Sequence, residues 1–118
     1  MNNTKWREIF KFISDNELKF RIWFNSESKY FNNEKLWNIT FKDIGDKGIN
    51  DPGFCGPFYF SSINRLTIVG KYEMIDNLRE LSQQKKLIMQ DLVKLETWMS
   101  RDGKWPYVVT DDGIEIIG

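Results

Sequence analysis

Fourteen of the eighteen aromatic side chains lie within the first sixty of 118 residues, so any core must draw heavily on that half. Each aromatic brings a large apolar surface, and Trp and Tyr add a polar tip. The same chain holds no histidine and one cysteine. The commonest general base and the commonest metal ligand are therefore missing, which shifts expectation from bond-making chemistry to packing and binding. The length suits one domain over residues 1–118, large enough for a core without disulfides or metals. Lysine plus arginine balance aspartate plus glutamate, 17 against 17. A neutral chain has no bulk field to steer it to nucleic acid or an anionic membrane. The start, Met1 to Arg7, has no apolar h-region, no run approaches a membrane span, and lone Cys55 suits a reducing cytoplasm.

Trp6, Ile9, Phe10 and Ile13 recur at helical spacing and predict an amphipathic helix over residues 4–14, with Asn3 or Thr4 as N-cap and Ser14-Asp15-Asn16 as the stop. Leu18, Phe20, Ile22 and Phe24 alternate with Lys19, Arg21 and Trp23, the pattern of a half-buried strand. A second strand is expected over Leu36 to Phe41. Four glycines and two prolines between Asp43 and Pro57 argue against regular structure there. Phe58 to Ser61 and Ile63 to Val69 read as extended. Met74, Leu78, Leu81, Lys85, Ile88, Leu92, Leu95 and Met99 are spaced alternately by four and three, which predicts one long helix over 73–101, or two with a break at Ser82–Lys86. Asp111-Asp112-Gly113 between two β-prone runs predicts a terminal hairpin. The expected fold is α+β: an antiparallel sheet of four or five strands covered by the first helix and the long (or split) one. The expected core holds Trp6, Ile9, Phe10, Ile13, Phe20, Ile22, Trp37, Ile39, Ile63, Leu66, Ile68, Leu78 and Leu81.

The candidates for chemistry are thin. Cys55 sits in the glycine-rich loop, but a thiol nucleophile needs a histidine or comparable activator. That loop matches neither glycine-rich phosphate motif. Asp43, Asp46 and Asp51 lack the spacing and the closing Glu of a calcium loop. No catalytic residue, metal ligand or cofactor is assigned, and the chain is read as not an enzyme. A carboxylate-dependent hydrolase stays as an alternative, because paired carboxylates are defined by three-dimensional spacing. Lys19, Arg21 and Trp23 share one strand face and mix charge with an aromatic, as single-strand binders do, which makes a nucleic-acid-binding module another alternative. The seam from Ile88 to Met99 offers a homodimer contact.

Asn2-Asn3-Thr4-Lys5-Trp6 ahead of an amphipathic helix resembles the opening of a family of small uncharacterised bacterial proteins. The resemblance recurs at Phe58-Tyr59-Phe60 with Ile63 to Ile68, and at Gly113 to Gly118. It covers about half the chain, and the stretch from Gln83 to Pro106 departs from it. Members of that family are similar to immunity proteins that neutralise toxins of rival bacteria. The resemblance implies a non-catalytic protein-binding domain that occludes a cognate toxin's active site, with no catalytic residue to transfer. Large amphipathic side chains anchor such complexes. The candidates here are Trp23, Tyr30, Phe54, Trp105 and Tyr107.

Overall fold

The computed structural model describes residues 1–25, 36–50, 57–76, 84–102 and 105–118. Two helices and an antiparallel four-stranded sheet make an α+β fold. Helix α1 spans Asn3–Asp15. Its cap is Asn2, one residue before the expected position, whose Oδ1 accepts from the Lys5 N–H at 2.9 Å. Trp6, Ile9, Phe10 and Ile13 form its buried stripe, as the spacing predicts. The helix ends in a Schellman motif: the Leu18 N–H donates to the Ile13 carbonyl and the Glu17 N–H to the Ser14 carbonyl. Glu17 takes the left-handed position (φ 52°) that glycine usually fills. Leu18 and Ile13, the apolar pair of that motif, are both buried.

Strand β1 (Phe20–Phe24) alternates buried and half-buried residues, as its sequence predicts. It pairs with β4 (Ile63–Val69), which pairs with β8 (Gly113–Ile117), which pairs with β7 (Tyr107–Thr110), giving the order β1-β4-β8-β7. Register sets Ile22, Leu66 and Ile116 in one row and Phe20, Ile68 and Ile114 in the next. These six face α1. Phe10 stacks on Phe60 and meets Phe20 edge-on, both at 5.7 Å, and Phe58 lies between Phe24 at 5.2 Å and Trp37 at 6.3 Å. The early aromatics thus make one continuous core. The expected terminal hairpin forms, with Asp111 and Asp112 as its turn and Gly113 already in strand β8. Gly113, paired with Val69, is required by space: a Cβ there would lie 2.1 Å from the Ile68 carbonyl oxygen.

The expected second strand over Leu36–Phe41 shrinks to one bridge, in which Trp37 exchanges backbone bonds with Phe20. The chain then turns, because Asp43 accepts from the Thr40 hydroxyl at 2.9 Å and from the Thr40 N–H at 3.3 Å. Phe41 points out to solvent, 57% exposed. Within the glycine-rich loop, β2 (Gly48–Ile49) pairs with β3 (Phe58–Tyr59). Gly48 permits the approach, since a Cβ would sit 2.1 Å from the Phe58 carbonyl oxygen. Residues 51–56, with Asp51, Phe54 and Cys55, lie outside the described residues.

The largest correction concerns residues 73–101. No long helix forms. Lys71–Asp76 (β5) and Gln84–Met89 (β6) pair as an antiparallel ribbon, and among the described residues of this stretch the helical ones belong to Val93–Asp102 (α2). The physical reason lies in the pattern itself. A step of four keeps two residues on one helix face, but it is even and keeps them on one strand face too. Only the steps of three discriminate, and β-prone Tyr72 lies two residues after Gly70, which ends strand β4. Leu78 and Leu81 lie outside the described residues. The proposed homodimer seam is therefore dismantled: Ile88 belongs to a strand, while Leu95 and Met99 of α2 are fully buried in the core.

The side chain of Gln90 ties the ribbon to the sheet. Its Oε1 accepts from the Lys19 N–H at 2.7 Å. Its Nε2 donates to the Lys19 carbonyl at 3.0 Å and to the Val69 carbonyl at 2.6 Å. One amide thus serves three backbone groups that no strand serves there. Replacing Gln90 with Met keeps the length and removes all three bonds, so the variant should lose about 2 kcal/mol or more of stability. Urea denaturation, with the midpoint falling at constant slope, measures it. In the opposite direction, Glu17→Gly should gain about 1 kcal/mol by relieving the left-handed backbone. A lower midpoint for that variant would contradict the capping geometry.

Candidate binding surface

The sheet has two faces of different chemistry. Opposite the core, register aligns Arg21, Thr67, Glu115 and Val108 across all four strands, and Trp23, Arg65 and Ile117 beside them. Strand alternation dictates this, because neighbours of buried Ile22, Leu66 and Ile116 must point the other way. The Arg65 guanidinium lies 4.8 Å from the centre of the Trp23 ring, within cation–π range. The same arginine reaches Glu115, Nη1 to Oε1 at 3.7 Å. That ion pair is half-exposed and adds little stability; its effect is to hold the guanidinium over the indole. Thr67 is 7% exposed, the one buried polar side chain among the described residues. Asp112 closes the end of a depression of about 280 Å³ bounded by these groups.

The face therefore presents an indole, two guanidiniums and the Glu115 carboxylate on strands whose backs are locked into the core, with the Asp112 carboxylate on the adjoining turn and Thr67 buried among them. Such an array can make hydrogen bonds of both polarities and stack on a planar group. Carboxylates among the arginines oppose a phosphate backbone. Lys19 is not part of this array: its backbone is held by Gln90, and its side chain lines a separate depression with Ile39 and Thr40. Of the basic and aromatic set read from the sequence, Arg21 and Trp23 come together and Lys19 does not.

The other partner-binding candidates are dispersed. Trp105 is 7% exposed, with its ring 5.1 Å from Trp98 and the Lys5 ammonium 4.6 Å above it. It joins α1 to α2, since Trp98 also stacks on Phe12 at 4.7 Å. Tyr107 points to the core side of β7, with its hydroxyl 3.3 Å from the Ser100 hydroxyl. Tyr30 and Phe54 lie outside the described residues. Arg65, Thr67 and Glu115 were not singled out in the sequence. Alternation within Ile63–Val69 and Gly113–Ile117 places them opposite the apolar residues, but their meeting with Trp23 depends on a sheet order that no local signal specifies. Among the loop acids, Asp43 serves the Thr40 turn and Asp46 pairs with Arg7 at 3.3 Å. Among the described residues no group of three or more Asp, Glu, Cys or His is placed to hold a metal ion, and no helix is long and apolar enough to cross a membrane.

Comparison of the chain with protein-family models, with curated proteins and with solved structures finds no match.

Because Trp23 and Arg65 stand outside the core, Trp23→Ala and Arg65→Ala should each change stability by less than about 1 kcal/mol. Phe20→Ala, one residue from Arg21 but facing inward, should cost about 3–5 kcal/mol. Thermal unfolding followed by circular dichroism separates the two classes. Comparable losses on both faces would mean that the outer residues are structural.

Proposed function

We propose that the chain is a non-catalytic protein-binding domain whose outer sheet face seats a protein partner. Most concretely, it is a bacterial immunity protein that occludes the active site of a cognate toxin in the cytoplasm. One observation carries the reading: Trp23 and Arg65 stack on an outward sheet face that also bears carboxylates and a hydroxyl. Tryptophan and arginine are the residues that most often dominate binding energy at protein interfaces. Held on paired strands, they lose little freedom on binding, and preorganisation of that kind favours affinity. Mixed charge suits a protein surface better than a nucleic-acid backbone. The absence of histidine from the whole chain fits a role in which shape and charge act without proton transfer.

The test is capture of a neighbouring-gene toxin by the tagged protein, followed by titration. Trp23→Ala combined with Arg65→Ala should weaken the complex at least thirtyfold, or about 2 kcal/mol, with the fold unchanged. Recovery of the protein alone from its host, or undiminished affinity in the double variant, would overturn the reading.

A further inference from the structure

The two edges of the sheet are finished differently. At the β1 edge, Trp37 exchanges two backbone bonds with Phe20, at 3.1 and 2.8 Å, and so covers the outward backbone groups there. At the β7 edge nothing comparable is present among the described residues. The Ile117 N–H donates to the Pro106 carbonyl at 3.0 Å, which sets the parity of the β7–β8 ladder. By that parity Val108 and Thr110 turn their backbone groups to β8, and Tyr107 and Val109 turn theirs outward. The Tyr107 N–H is taken locally by the Trp105 carbonyl, at 3.0 Å. The Tyr107 carbonyl and both backbone groups of Val109 remain on the rim.

Strand edges are usually guarded by lysine, proline or a bulge. Strand β7 has none of these. Its sequence is Tyr107-Val108-Val109-Thr110, its register is unbroken, and Val108 and Val109 are 55% and 58% exposed. We propose that this edge pairs with a second copy of the chain, antiparallel about a two-fold axis at Val109, so that two four-stranded sheets become one of eight strands. The pairing is self-complementary: Val109 donates to and accepts from its own counterpart. Charge selects the same direction. One end of β7 carries the exposed acids Asp111 and Asp112. The other end adjoins Trp105, where Lys5 lies over the ring and Arg101 flanks it, against one carboxylate, Glu8, among the described side chains there. An antiparallel pair sets each acidic tip beside the other copy's net-positive end, whereas a parallel pair would bring the acidic tips together. A four-residue edge buries far less than a standard interface, so the dimer is weak and concentration-dependent.

This inference is independent of the toxin reading and uses a different surface. Sedimentation velocity of the intact protein from about 10 μM to about 1 mM spans the range expected of so small an interface. The sedimentation coefficient should rise towards the dimer value across it, and added salt should shift that rise to higher concentration. Val109→Lys sets two ammonium groups face to face on the axis while leaving β8 pairing intact, and should move the rise at least tenfold in concentration. Under mild oxidation, Cys55→Ser/Val109→Cys should cross-link to a dimer, and Cys55→Ser/Val93→Cys, exposed on α2, should not. A monomer throughout the range, a dimer indifferent to Val109→Lys, or equal cross-linking at both positions would overturn the proposal.

Discussion

The contact on which the rest depends is Phe10 set between Phe20 and Phe60. It is the point where helix, sheet and the turn ahead of β4 share one set of ring contacts. Ring pairs of this geometry add about 0.5–1.5 kcal/mol each beyond the area they bury. Against a total stability of about 5–15 kcal/mol, three elements meeting on one ring make a large share of the fold conditional on that side chain. Trp6 extends the cluster along the helix and Phe58 along β3, so the turn-rich segment is anchored by its aromatics as well as by the short β2–β3 pairing.

That anchoring explains how a sheet of only four strands carries a stiff outer face. Every residue of the Trp23–Arg65–Glu115 array has a fully or almost fully buried neighbour on the same strand, and those neighbours interlock beneath it. Position on the outer face is thus set from below. Arg65 and Glu115 pair across strands, while the partly exposed indole lies against the same guanidinium.

What could be read from the residues follows the reach of the interactions concerned. Helix α1, strand β1 and the terminal hairpin were legible, because each depends on neighbours within a few positions. Most of the predicted core was legible for the same reason. The ribbon of Lys71–Asp76 with Gln84–Met89 was not, since the alternate steps of four fit either period. Nor was the role of Gln90, whose amide meets a backbone 71 residues away in sequence. The left-handed Glu17 escaped notice because glycine, the usual marker of that backbone, is replaced by a residue with no such association. The outer face was half legible: alternation marks Arg21 and Trp23, but the arrival of Arg65 beside them waits on β1 pairing with β4.

The order β1-β4-β8-β7 has a consequence for how the molecule is made. Strand β4 is an inner strand, yet one of its two partners is synthesised about fifty residues later. Until β8 leaves the ribosome, the inner flank of β4 has no mate and Ile114 and Ile116 cannot close over the rings already gathered there. The native sheet can therefore close only after β8 has emerged.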